Sequence, residues 1–292
     1  MPELLELMIA PFVASMVLVA MLAYLGVHII ARGVIFVDLA LAQMAALGAT
    51  FGLLFNVGTD SPLSYGFALG FTTLGALVFA VTREDRQERR VPQEAIIGIV
   101  YIVATAATLL IADRTPAGSE AIKDVLVGSL LWVTWPEIGR LALVYAAVGV
   151  VQWLLRKRFL TISLEESEAE TRGWNIRLWD FVFYLLFGVV ITLAVPLAGI
   201  LLVFTFLVVP AVVAFQFTRA TARLIAISWG VAALASAAGL GLSFRFDLPT
   251  GPLMVCMFGL LLPSAWLVRR LLPAASRADI EVGSAHDGSP GN

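Results

Sequence analysis

Two polar side chains interrupt an otherwise apolar stretch near the start of this 292-residue chain: Asp38 and Gln43, within Arg32-Gly-Val-Ile-Phe-Val-Asp38-Leu-Ala-Leu-Ala-Gln43-Met-Ala-Ala-Leu-Gly48. A carboxylate and an amide oxygen are acceptors suited to escorting a cation or to hydrogen bonding between helices, and both readings stay open. Each costs several kcal/mol inside hydrocarbon unless a site or a partner justifies it. Asp38 lies about five residues into its apolar run, past the first turn. Glu94 and Asp180 instead open two other runs, where a carboxylate complements the positive end of a helix. His28, at the inner end of the first run, has no nucleophile near it and is expected to be a satisfied interfacial histidine. Ser163-Leu-Glu-Glu166 reads as a capping box, so a short helix is predicted over 164–172, ended by Gly173.

Other chemistries lack their residues. There is no Gly-x-Ser-x-Gly elbow, no His-Glu-x-x-His, no paired Asp-rich motif and no Walker A sequence. The chain is therefore not expected to be an enzyme or to bind ATP through a P-loop. The single Cys256 excludes an internal disulfide, and two histidines, His28 and His286, cannot form a helix-borne cluster. A net charge of −2 and a pI near 5.7 argue against a nucleic-acid partner.

The elements that must position these residues are membrane spans. The chain is 60% hydrophobic and only 14% charged, with a mean hydropathy of +0.93, against about 25% charged residues in a soluble domain. Its apolar blocks are about 20 residues long, enough to cross a ~30 Å core as helices, and the alternation of a β-barrel is absent. The expected fold is all-α and polytopic, with spans at 7–30, 34–57, 62–82, 94–112, 136–156, 178–197, 199–218, 221–242 and 251–271, or eight if 1–30 or 178–218 packs differently. The first span has Glu3 and Glu6 before it and no basic residue, unlike a cleaved signal peptide. With the N-terminus outside, 15 of the 19 Lys and Arg residues fall inside, which predicts N-out and C-in for nine spans. Residues 113–135 hold about a dozen apolar residues, too few to cross, and read as a partial helix on the outer side. The domain reading is one membrane domain over 1–272 and a disordered cytoplasmic tail over 273–292. Gly66, Gly70 and Gly75, Ala45 to Gly48, and Ala232 through Gly241 have the spacing of close helix crossings. The cytoplasmic segment 160–177 exceeds what a plain connection needs and is expected to dock a partner.

In order along the chain, five stretches resemble the permease subunits of ABC importers for zinc, manganese or iron. Arg32 to Gly48 is similar to the family's Phe-x-Asp-x-x-x-His-Ala-x-x-x-Gly segment. Then come Glu94-Ala-Ile-Ile-Gly98 and Val127-Gly-Ser-Leu-Leu131. Glu168-Ala169-Glu-Thr-Arg-Gly173 is similar to the coupling-helix pattern Ala-x-x-x-Gly. The fifth, Ala198-Gly199-Ile-Leu-Leu202 through Val209-Pro210-Ala211-Val-Val-Ala214, resembles Gly-x-Leu-Leu…Pro-Ala-x-x-Ala; beyond these five, Leu248-Pro-Thr-Gly-Pro252 also matches the turn before the last helix. The resemblance implies a multi-pass protein of the bacterial inner membrane, acting as a homodimer or with a close relative. It also implies a separate ATP-binding subunit carrying ATP and Mg, an external metal-binding protein, and no cofactor held by this chain. Asp38 and Gln43 would flank the ion path, with Asp38 as a metal ligand. Glu165, Glu168, Ala169 and Gly173 would contact the ATPase.

One departure stands out. Gln43 occupies the family's histidine position, and Asp38 precedes it by five residues rather than four. On a straight helix that offset turns the two side chains apart by about 140°, so they cannot face one ion without a bulge. An amide oxygen is also a poorer zinc ligand than imidazole. The alternatives are a permease for another solute, such as a chelated metal, or a membrane-embedded enzyme or scaffold.

Overall fold

The computed structural model describes residues 2–58, 61–83, 91–114 and 125–271, with side chains from residue 8 onward. Among these residues the protein is a helical bundle without strands. Its elements are α1 (Pro2–Arg32), α2 (Val37–Leu53), α3 (Pro62–Val81), α4 (Gln93–Ala112), a 3-10 turn (Leu130–Trp132), α5 (Trp135–Leu154), α6 (Arg156–Leu164), α7 (Glu166–Thr171), α8 (Ile176–Phe217), α9 (Thr221–Phe246) and α10 (Thr250–Leu271). Helix starts follow local chemistry. Ser61 Oγ accepts from Ser64 N–H ahead of Pro62, and Asn175 Oδ1 accepts from Leu178 N–H. Thr134 N–H donates to Glu137 Oε2 at 2.7 Å.

Seven of these helices are long and apolar enough to cross a membrane: α1, α3, α4, α5, α8, α9 and α10. The 42-residue α8 is a special case, because it is broken at Gly199 (φ 75, ψ 155). Gly26 of α1 lies against Leu207 and Ala211, while His28, two residues on, packs against Phe183. On a continuous helix residues 183 and 211 would stand about 42 Å apart. The chain therefore turns back at Gly199, as expected for two spans at 178–197 and 199–218. The expected span 34–57 contains only a 17-residue helix, bounded by Gly33 (φ 68) and Asn56 (φ 57).

The contacts sort the bundle into two ends. Arg32, Arg83, Ser163, Glu166 and Asp180 meet at one end. At the other, Ser129 N–H donates to Leu197 O at 3.0 Å, and Gly251 approaches Val127 O. Residues 125–133 supply only short helical turns, so this stretch does not cross, in line with a partial element, while 115–124 lie outside the described residues. The helix start predicted at 164 is corrected: α6 runs to Leu164, the chain breaks at Glu165, and α7 is six residues long. Ser163 is no cap, because its hydroxyl faces the bundle. Of the glycines expected at crossings, Gly48 and Gly75 are tightly packed, whereas Gly66, Gly70 and Gly241 face open space. The expected tail over 273–292, with His286, lies outside the described residues.

Gly128 (φ 71) and Gly199 (φ 75) meet backbone to backbone, and a Cβ on either would overlap the other's chain. The left-handed conformation alone costs a non-glycine residue about 1–2 kcal/mol. Gly199→Ala and Gly128→Ala should each lower the unfolding midpoint in detergent by several degrees. Gly70→Ala, on an open helix face, should leave it unchanged or raise it. An unshifted midpoint for Gly199→Ala would contradict the turn-back at this residue.

Candidate functional site

α2 lies between α3, α4 and α8, and most of its side chains are buried. It starts at Val37, so Asp38 is in its first turn rather than past it. This corrects the expected depth of Asp38. Its carboxylate is buried (1% exposed), and Oδ1 has no hydrogen-bond partner. The neighbouring carboxylate is Glu94, near enough for the two charges to repel. Glu94 stands in the first turn of α4, as expected for a helix-end carboxylate, and its Oε1 also accepts from Ile35 N–H, in the turn leading into α2, while its Oε2 is buried without a partner. Two acidic side chains thus each present one unused oxygen at the start of α2.

Gln43 is also buried, on a regular helix with no bulge between it and Asp38. The two side chains therefore diverge by about 140°, and the structure does not bring them together. What shares the Asp38 face, within about 40°, is Ala42, Ala45 and Ala49. Ala45 and Ala49, with Ala46, line a small cavity of about 50 Å³ against Ser64, Tyr65, Thr192 and Pro196. A strip of small residues thus runs from the carboxylates toward the other end of the bundle. Among the described residues no three His, Cys, Asp or Glu side chains form a ready metal cluster.

The second centre lies at the end of the bundle where Arg32, Arg83 and Asp180 meet. Asp180 is fully buried, yet it is the fifth residue of α8, beyond the reach of a simple helix-end role. Its Oδ1 accepts from Arg32 Nη1 at 2.5 Å and its Oδ2 from Arg83, which also pairs with Glu166. Arg32 stacks over the Phe183 ring at 4.1 Å and donates from Nε to Ser163 Oγ at 2.8 Å. That leaves the serine proton for His28 Nδ1, 2.9 Å away. The expected satisfied histidine is satisfied at one nitrogen only, since Nε2 has no partner. Two guanidinium groups balance two carboxylates here. The network joins α1, Arg83 two residues past α3, α6, α7 and α8.

Of the residues expected to contact an ATPase, the structure separates one from the others. Ala169 is fully buried, so it packs inward. Glu165 and Glu168 face outward. Hydrogen bonding between them raises the Glu165 carboxyl above its usual range and lowers Glu168, which Arg172 also pairs. Gly173 (φ 68) ends α7 as expected, with its N–H bonded to Glu170 O and Trp174 N–H to Ala169 O.

The family model of the ABC 3 transport family matches residues 4–268. The chain belongs to the ABC 3 transport family. Among its relatives, the chelated iron transport system membrane protein YfeC of Yersinia pestis is 25% identical, over 87% of this chain and 86% of the relative. The manganese transport system membrane protein MntC of Listeria monocytogenes is also 25% identical, over 77% of this chain and 81% of the relative. The fold matches the solved structure of PsaBC from Streptococcus pneumoniae in complex with Fab. There the TM-score is 0.74 at 19% identity, covering 92% of this chain and 93% of the other. The resemblance to metal-ion permeases and the polytopic helical fold expected from the sequence both hold.

Removing the Asp180 charge would leave two buried arginines with too little counter-charge. Breaking such a pair costs about 3–5 kcal/mol. Asp180→Asn should lower stability by that order in chemical unfolding, and adding Arg83→Gln should recover part of the loss. A change below about 0.5 kcal/mol for Asp180→Asn would contradict the assignment.

Proposed function

We propose that this chain is the membrane-spanning subunit of an ABC importer for a divalent metal ion, with Asp38 and Glu94 handling the ion. One observation carries this reading: the buried Asp38 and the half-buried Glu94, each with an enclosed oxygen that has no hydrogen-bond partner, stand at the foot of a small-residue strip on α2. Among the described residues no basic side chain is paired with either, and a passing dication would neutralise both. Conduction needs coordination weak enough to release the ion, which two carboxylates without a third strong ligand provide. Gln43, on another face of α2, would meet the ion at a different step. The proposed orientation is N-out and C-in in a bacterial inner membrane, with the Arg32–Asp180–Arg83 end cytoplasmic.

The importer would be a homodimer fed by an external metal-binding protein and driven through alternating access by a separate ATPase, where ATP and Mg bind. In this reading α7 is the coupling helix. Its outer face, with Glu165 and Glu168, meets the ATPase, and its inner face is held by Ala169 and by the Glu166–Arg83 pair. Manganese and iron are the first ions to examine, because the Listeria and Yersinia relatives are named for them. Passage of a chelated metal is the second reading, favoured by the amide at position 43 where the family has a histidine.

The reconstituted complex should take up one or more of zinc, manganese and iron. Asp38→Asn and Glu94→Gln should assemble normally and lose at least tenfold of that uptake. Gln43→His should shift the preference among ions rather than the overall rate, since imidazole favours softer metals. Uptake that appears only when a chelator is supplied would select the second reading. Full activity of Asp38→Asn with every ion would contradict the ion-path assignment.

A further inference from the structure

A cavity of about 600 Å³, separate from the α2 path, opens between α1, α5, α6 and the start of α9. Its walls are apolar along most of their length, formed by residues such as Val17, Ala20, Met21, Ala146 and Gly149. No acidic side chain lines it. Its polar features gather where α5 ends. Gln152 lines the cavity, is 2% exposed, and has neither amide atom hydrogen-bonded. A buried amide without partners is costly, so this position calls for a ligand that hydrogen-bonds. Arg156, four residues on, also lines the cavity and lies over the Trp153 ring at 4.8 Å. Lys157 and Arg158 follow it, and the α9 wall begins beside Arg219 and Arg223. Trp153 is exposed at the end of α5, as aromatic side chains are at a membrane interface, whereas Trp229 lies deeper along the wall, its Nε1 donating to Ala20 O at 3.1 Å.

We propose that this cavity binds an anionic glycerophospholipid, with an acyl chain along the apolar wall, an ester carbonyl at Gln152 and the phosphate at Arg156. The depths agree. Gln152 lies in the last turn of α5 and Arg156 opens α6 just beyond the break at Leu155, the order in which an ester carbonyl and a phosphate follow each other out of a leaflet. Basic pockets between helices on the cytoplasmic side suit anionic headgroups, and the uncompensated charge here has that sign. Anionic rather than zwitterionic lipid is specified because Arg156 lies beside further basic residues and no carboxylate lines the cavity with it. The site shares no residue with the proposed ion path, and only the choice of leaflet depends on the orientation given above.

The test is native mass spectrometry of the full-length protein with phosphatidylglycerol and phosphatidylcholine of identical dioleoyl chains. The wild type should retain phosphatidylglycerol at least fivefold better. Arg156→Gln, an exposed and conservative change, should reduce that preference about fivefold, the effect expected of one basic residue near an anionic surface. Gly149→Phe, which fills a wall position where only Met21 is near, should abolish retention of both lipids while circular dichroism stays that of the wild type. Equal retention of the two lipids by the wild type, or undiminished retention by Gly149→Phe, would overturn the proposal. So would efficient disulfide cross-linking of Gly149→Cys between two copies in membranes, in a Cys256→Ser background, because that face would then belong to a second copy.

Discussion

The Asp180 carboxylate is the constraint on which one end of the bundle depends. It has no exposure to solvent and lies between the guanidinium groups of Arg32 and Arg83. A buried charge must be paired and hydrogen-bonded or it destabilises the fold, so all three side chains are committed to one arrangement. That arrangement gathers segments that the chain order keeps apart. Asp180 is 148 positions from Arg32 and 97 from Arg83. Arg83 extends the network to Glu166 at the start of α7, and Arg32 extends it to Ser163 at the end of α6. The short helices outside the bundle are thereby fastened to the helices inside it.

The other end is fastened differently, by backbone approach rather than charge. Gly128 and Gly199 meet where α8 turns back, and only residues without a Cβ allow it. Between these two joints lies α2, whose start is set by the Gly33 turn and by Glu94 reaching the Ile35 amide. The proposed ion path thus runs along a helix whose surroundings are held at both ends. A displacement of α7 by an ATPase would be felt first at Arg83 and Glu166, and from there at Asp180, α1 and α8. Small rearrangements of such charge pairs offer discrete alternatives rather than continuous deformation, which is what alternating access requires.

Much of this architecture was legible in the sequence. Apolar block length gave the helices, and the break at Gly199 between two expected spans is where α8 turns back. The short run ending at 135 agrees with the described residues 125–133, which form only short turns, and Gly173 marked the end of α7. What escaped was whatever depends on partners distant in the chain. Asp180 and Glu94 both sit near helix starts, so a helix-dipole role accounted for each of them locally. Only the folded bundle shows Asp180 between two arginines and Glu94 at the next helix's turn. Ser163 matched a capping box and was drawn instead to Arg32 and His28. The α2 start shifted by a few residues, which moved Asp38 into the first turn, because Gly33 to Phe36 form a turn where continuous apolar character suggested helix. The proposed lipid cavity left only faint signs, a glutamine and three basic residues at the end of one span.

The central claim is that the buried charge network carries the action of the ATPase from α7 into the membrane helices. The most direct measurement is the ratio of metal transported to ATP hydrolysed by the reconstituted complex, wild type against Arg83→Gln. This substitution keeps Arg32 on Asp180 Oδ1 but removes both the link to Glu166 and the Arg83 partner of Asp180 Oδ2. Hydrolysis that continues near the wild-type rate, with metal uptake per ATP reduced at least tenfold, is the predicted result. An unchanged ratio would contradict the account.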